Sequence, residues 1–259
     1  MFERNIINKD TLFYDLCCGS GAITIELLNR GIISKNIIMV DGSSWGKFWS
    51  EIGKGTFDID RFSKYVEDVP SDKFLIQGHM KALSKSNADI DEEYVYLLLQ
   101  ASSFGGKQIW KTDGKWCNTS FRNYWQPTET SSRRSPVNPM MPMSNTLLER
   151  VKVIKKECGG LVCHNEDIYN ILDRNIRNEN AIVYIDPPYK NTTKYGFTFD
   201  VEDFVNKLTK KLIIPIYVSE GYEFSSSTIY LSKGREKGGI SGGRKKANEE
   251  WLNVFNNYL

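Results

Sequence analysis

Histidine is almost missing from this chain: its 259 residues include two, His79 and His164, and there is no Cys-x-x-Cys pair, which leaves no zinc-binding pattern. A surplus of charge is missing too. With 34 basic against 32 acidic side chains the formal charge is +2. Long apolar runs are absent, since Leu27-Leu28 and Tyr94–Leu99 fall far short of the ~18 residues a membrane span needs. The opening MFERNIINKDTLFYD lacks the basic-then-apolar pattern of an export signal. The five cysteines, an odd number, stand at 17, 18, 117, 158 and 163; the adjacent pair argues against a disulfide framework and fits a reducing cytosol. What is present, 40% hydrophobic and 25% charged residues, is ordinary for a soluble globular protein. The expectation is a cytoplasmic protein with no membrane or metal partner, a monomer or weak dimer, built as one large α/β domain or one domain carrying an insertion.

The first 55 residues read as strand, tight turn, helix, strand. Thr11–Asp15 is a short apolar run ending in an acid, Cys18–Gly21 is a turn, and Ala22–Arg30 has helical spacing. Gly31 stops that helix, and Lys35–Asp41 is a second strand that again ends in an acid. Such a start predicts a parallel α/β sheet with ligands beyond the carboxyl ends of its strands. From about 56 to 150 the character changes. Between 101 and 135, Lys107, Lys111, Lys115, Arg122, Arg133 and Arg134 face only Asp113 and Glu129, among many aromatics. A basic, aromatic insert in a nearly neutral chain points to a polyanion contact, or to a solvated face. After 150 the α/β pattern returns: a helix over Leu147–Lys156, a strand over Gly160–Cys163, a helix from Ile168 to Leu172, and strands at Ala181–Ile185, Leu212–Ser219 and Trp251–Phe255. The predicted core is therefore 1–55 with 151–259, split by a mainly helical insert over 56–150.

Asp15-Leu-Cys17-Cys-Gly19-Ser-Gly21-Ala22 follows a strand and opens a helix. Glycines there let the backbone turn sharply and approach a ligand. A dinucleotide fingerprint would need a third glycine at 24, which is Thr24, and no Gly-Lys-Ser/Thr marks a phosphate loop. An acid closing the first strand and another, Asp41, twenty residues past Gly21 suit a ligand with an amine and a ribose. S-adenosylmethionine, a nucleoside sulfonium methyl donor, has both. Taken alone, the turn also serves as a plain strand-to-helix connection.

The second motif, Asp186-Pro187-Pro188-Tyr189, ends the AIVYI strand. Neither proline can donate a backbone hydrogen bond, so the segment leaves the sheet with its carbonyls free. A carboxylate, a carbonyl and an aromatic face then sit in one stiff segment. An exocyclic base amine needs those three groups: Asp186 and the Pro187 carbonyl to accept its two N–H bonds, and Tyr189 to stack on the ring. The plainer reading is a rigid turn. His79 and His164 read as ordinary partly buried residues, and Cys17 and Cys18 as packing residues rather than nucleophiles.

With both motifs in this order, the chain resembles the adenine-specific DNA methyltransferases whose fourth motif is Asp-Pro-Pro-Tyr. The likeness covers most of residues 11–259 and is specific at 15–22 and 186–189. It implies a Rossmann-like sheet with an inserted target-recognition region, the cofactor S-adenosylmethionine, and double-stranded DNA as partner, in a bacterial or phage-infected cell. On this likeness Asp15, Cys17, Gly19, Gly21, Asp41 and Asp167 line the cofactor; Asp15 meets its amine, Asp41 its ribose and Asp167 its adenine. Asp186, Pro187, Pro188 and Tyr189 are then catalytic, while Lys107, Lys111, Lys115, Arg122, Tyr195 and Arg244 meet DNA. Two other readings are an RNA base methyltransferase (guanine N2 or adenine N6) and an inactive nucleic-acid-binding relative. Many family members also carry a Gly-Gly-Lys or Gly-Asn-Lys motif ahead of the glycine turn. Only fourteen residues precede Asp15 and none has that pattern, which leaves the role to another segment, such as the basic, glycine-rich Lys237–Arg244, or predicts weak cofactor binding.

Overall fold

The apolar run Leu12–Leu16 forms strand β1, and the helix after the glycine turn is α1 (Ala22–Asn29), ended by left-handed Gly31 at φ 88°. A 3-10 turn at Ser34–Asn36 leads into β2 (Ile37–Val40). Next come α2 (Ser44–Lys54), α3 (Ile59–Glu67), α4 (Ile76–Leu83), α5 (Glu92–Ser102), the strands β3 (Trp110–Thr112) and β4 (Lys115–Cys117), and α6 (Ser144–Glu157). The sheet resumes with β5 (Val162–His164) and β6 (Ala181–Ile185). Helix α7 (Val201–Lys211) and strands β7 (Ile216–Glu220), β8 (Ser227–Gly234) and β9 (Asn248–Phe255) complete the order. These elements come from a computed structural model, which describes residues 7–174, 176, 180–188, 199–234 and 248–256.

Seven strands form one sheet in the order β5-β2-β1-β6-β7-β9-β8. All neighbours pair in parallel except β9, which runs antiparallel to both β7 and β8. The chain moves outward from β1 to β2 and β5, then returns to lay β6 on the other side of β1. That reversal is the topological switch point at which open α/β sheets bind ligands. The strand order is that of the class I methyltransferase fold, an α/β, Rossmann-like sheet, as the sequence predicts. Strands β6 and β7 are buried at every position, which explains why they read as continuous apolar runs rather than as alternating ones. Helix α7 lays Val201, Phe204, Val205 and Leu208 into one core with Val183, Ile185, Ile216 and Val218. Its first turn is capped by Asp200, whose carboxylate accepts the Asp203 N–H at 3.0 Å.

Residues Ser43–Gly160 form a second compact unit, mainly helical. Its core is aromatic: the ring of Phe57 lies 4.9 Å from Tyr94, 5.5 Å from Phe48 and 5.7 Å from Phe62. Helix α5 buries nine of its eleven residues at the centre. The β3–β4 hairpin turns on Asp113-Gly114, both left-handed at φ 50° and 69°, as a two-residue hairpin requires. The sequence places the insert at 56; the compact unit begins at Ser43, because Phe48, Trp49 and Ile52 of α2 are buried in the helical core.

Strand β5 starts at Val162 rather than Gly160, and two further elements differ from the sequence reading. The strand expected from Leu212 starts only at Ile216, since Leu212–Pro215 is the connection out of α7 and leaves Ile213 80% exposed. The helix expected from Ile168 to Leu172 is a 3-10 turn, Ile168–Asp173.

Candidate functional site

The end of β1 brings the chain into a strained turn. Cys17, Gly19 and Gly21 have φ values of 58°, 49° and 72°, and the first is a rare left-handed non-glycine. The turn is tied to β2, since the Cys17 N–H donates to the Val40 carbonyl at 2.8 Å. The Gly19 N–H donates to the Asp41 carboxylate, also at 2.8 Å. Asp41, partly exposed at the end of β2, thus reaches across to the glycine turn. Among the described residues, a Cβ at Gly19 would make an ordinary contact with the Cys17 carbonyl at 3.9 Å, so glycine is needed there for its backbone angle.

The loop after β5 closes the next position. A Cβ on Gly42 would lie 3.2 Å from the Glu166 carbonyl, so these two loops touch along the backbone. Asn165 donates to the Asp41 carbonyl at 3.0 Å, and Arg174 forms an ion pair with Glu166 while standing 3.3 Å from His164 Nε2. Asp167, exposed on this loop, accepts the Tyr169 N–H at 2.8 Å and so starts the 3-10 turn.

Asp15 is sealed inside the sheet, 1% exposed, and accepts a hydrogen bond from Thr24 Oγ1 at 2.7 Å. Burial pushes its pKa up to about 7; the Thr24 bond opposes this, and the charges of Asp186 and Asp41 add to it. Burial, with nearby acids, holds the Cys17 thiol well above its ordinary range, and burial with a Cys163 hydrogen bond does the same for Cys18, which suits packing and not nucleophilic attack.

On the other side of β1, Leu16 pairs with Ile185 of β6, and the Asp186 N–H donates to the Leu16 carbonyl at 3.2 Å. Asp186 therefore leaves the sheet directly beside the glycine turn. Its carboxyl is open to solvent, yet the surrounding protein strips enough water, with help from Glu250 and Glu220, to lift its pKa to about 6. Pro187 is buried and Pro188 half-buried. Tyr189, Tyr195, Arg244 and the glycine-rich Lys237–Arg244 lie outside the described residues.

The strand ends thus gather Asp15, Asp41, Asp186 and Glu220, with Glu250 on β9 beside them. Thr24, Glu220 and Glu250 are missed by sequence reasoning. Glu220 carries the same signal as Asp15 and Asp41, an acid closing an apolar run, and could have been found by it. Thr24 and Glu250 carry none. No group of three described His, Cys, Asp or Glu side chains could hold a metal. No helix among the described residues is long and apolar enough to cross a membrane.

The basic candidates lie in the helical unit. Lys107 and Lys115 are exposed, and Arg122 is half-buried. Lys111 is bound internally, 3.1 Å from Asp89 and paired also with Glu92, and these partners raise its pKa.

No family model and no curated protein sequence matches the chain. Among solved structures it is similar to the rRNA methyltransferase AviRa from Streptomyces viridochromogenes, with a TM-score of 0.34 and 12% identity over 98% of this chain and 81% of that one. The fold assignment rests on the strand order and register given above.

Proposed function

We propose that the protein transfers a methyl group from S-adenosylmethionine to the N6 amine of adenine in DNA. The observation that carries this reading is the position of Asp186-Pro187-Pro188, leaving β6 beside the glycine turn that leaves β1. The residues present fit the methyl donor. Its ammonium and sulfonium groups are cationic, and carboxylates crowd this sheet edge. The left-handed Gly19 turn lets the backbone approach a ligand, Asp41 is partly exposed to receive ribose hydroxyls, and Asp167 is exposed to meet an adenine amine. When bound, the donor supplies an electrophilic methyl on a positively charged sulfur.

The chain's own residues do the rest. A base amine is a poor nucleophile because its lone pair is delocalised into the ring. Asp186 and the Pro187 carbonyl, accepting both N–H bonds, favour a pyramidal nitrogen with a directed lone pair. Asp186 is ionised above about pH 6, so this acceptor is available at neutral pH. A base inside a duplex cannot reach such a site and must be flipped out, at a cost of a few kcal/mol that stacking on Tyr189 offsets in part. The Asp in the first motif position, where serine suggests cytosine N4, is the family likeness that favours adenine.

The test is incubation with labelled methyl donor and unmethylated DNA, or RNA, followed by nucleoside analysis by mass spectrometry. N6-methyladenine in DNA is expected. Methyl on cytosine, or on RNA alone, overturns the assignment of the target.

Two further results are expected. Asp41→Ala should weaken donor binding by ~1.5–3 kcal/mol, the loss of a hydrogen bond to a charged group; unchanged affinity in calorimetry removes Asp41 from the site. DNA binding should fall steeply with salt, and Lys107→Ala should lower the slope of log K against log salt by about 1, as one phosphate contact fewer predicts. Lys111→Ala should change that slope less, because Lys111 is held by Asp89 and Glu92. Salt-independent binding excludes the helical unit from DNA contact.

A further inference from the structure

Asp186 follows the end of β6, Glu220 closes β7, and Glu250 lies near the start of β9. Ile185 of β6 pairs with Val218 of β7, so continuing that parallel register by one and two residues sets Asp186 alongside Ser219 and Pro187 alongside Glu220. On the far side, β9 runs antiparallel with Glu220 opposite Trp251, which puts Glu250 at the same end of the sheet. Glu220 is 1% exposed, an acid sealed at a strand end, and one of its oxygens accepts the Gly221 N–H at 2.7 Å. Glu250 is half-buried, with Ser219 Oγ 3.4 Å from its carboxylate.

We propose, resting on the methyl-transfer reading above, that Glu220 and Glu250 are positioning residues acting through Asp186: the ends of β7 and β9 set two carboxylates behind the catalytic one and hold it as acceptor of the proton that the methylated amine releases. The balance is simple. The amine lone pair forms the N–C bond as the methyl C–S bond breaks, and that bond's electron pair stays on sulfur, which becomes neutral. The nitrogen is left positive with one proton too many. That proton passes to the Asp186 carboxylate, which becomes a carboxylic acid and then releases it to water. An ordinary aspartate is a weak acceptor for this step; two negative neighbours make it a stronger one and also stabilise the positive charge growing on nitrogen.

The ionisable groups near Asp186 among the described residues include Asp15 and the Cys17 thiol at the end of β1, Glu220 on β7 and Glu250 on β9. Burial and these glutamates lift Asp186 to about 6, and burial lifts Asp15 to about 7. The thiol stays neutral throughout. Besides burial, Glu250 and Glu220 are the charges that raise the Asp186 pKa.

The test has two readouts on Glu220→Gln and Glu250→Gln. One is the titration of the Asp186 carboxyl by carbon NMR on full-length protein without donor, with Asp186→Asn supplying the assignment. The other is the pH profile of single-turnover methyl transfer to unmethylated DNA. In each variant the Asp186 midpoint should fall by about half a unit to one unit, as loss of a nearby like charge predicts, and the acid limb of the rate should fall with it. Glu250→Gln replaces a half-buried group and keeps the test open if Glu220→Gln does not fold. A midpoint that stays put in every folded variant overturns the proposal with the methyl-transfer reading intact. A midpoint that moves while the acid limb does not also overturns it. Absence of transfer by the wild-type protein to either DNA or RNA overturns the underlying reading, and the proton-acceptor role with it.

Discussion

Asp186→Asn should lower single-turnover methyl transfer by about 10²–10⁴-fold while leaving donor affinity within about twofold. The asymmetry follows from geometry and charge. The backbone of Asp186 is tied to Leu16 by its N–H and stiffened by two prolines after it, and an asparagine keeps all of that. What asparagine lacks is the negative charge. A carboxylate interacts more strongly with the amine as that amine becomes pyramidal and positive, so its loss is felt in the transition state and hardly in the ground state. Rapid-quench transfer assays, with calorimetry of donor binding on the same preparation, separate the two. Retention of transfer to within tenfold would sink the catalytic role of Asp186, and loss of donor binding would make it a cofactor residue instead. Tyr189→Phe should keep most of the activity and Tyr189→Ala should lose about 1–3 kcal/mol, because stacking uses the ring and not the hydroxyl.

Asp15→Asn should make the protein more stable at alkaline pH, by up to about 4 kcal/mol near pH 8.5, and change it little near pH 4. The carboxyl of Asp15 titrates near 3.8 when unfolded and at about 7 in the fold, so the native state holds its proton more tightly. The corresponding stability is fully present below pH 3.8 and is lost as pH rises through about 7. Asparagine remains neutral throughout and its amide oxygen can still accept the bond from Thr24. Carboxylates whose pKa values are lowered, such as Glu166 and Glu51, act in the opposite sense, so wild-type stability alone mixes the two effects. The difference between wild type and variant, from chemical denaturation across pH 4–9, isolates Asp15. A difference that does not vary with pH would mean that Asp15 is ionised in the fold.

Much of the sheet was legible. Leu12–Leu16, Ile37–Val40 and Ala181–Ile185 are parallel strands covered on both faces, so local composition alone marks them as continuous apolar runs. The glycine turn and the Asp-Pro-Pro segment were legible for a related reason: left-handed backbone and a missing N–H restrict residue type wherever they occur. The short edge strand β5 was placed two residues early, since Val162 is 41% exposed and three residues carry little pattern. Helical spacing at Ile168–Leu172 could not separate an α-helix from the 3-10 turn that formed, because one turn of either presents the same residues.

Sequence by itself determined the α/β class, the carboxyl ends of strands β1 and β6, and the two motifs that follow them, because each is set by hydrophobic period or by the backbone limits of glycine and proline. Only the tertiary structure decided which charges work together. An acid after a strand reads the same whether it turns inward, as Asp15 does against Thr24, or outward, as Asp186 does. Lys111 adds to the local positive charge, and its partners Asp89 and Glu92 stand about twenty residues away, outside the basic stretch. Glu220 and Glu250 come to the same end of the sheet as Asp186 through strand pairing that no local pattern encodes. Coulomb interactions depend on distance in space and on how much water has been removed, and both are properties of the folded chain.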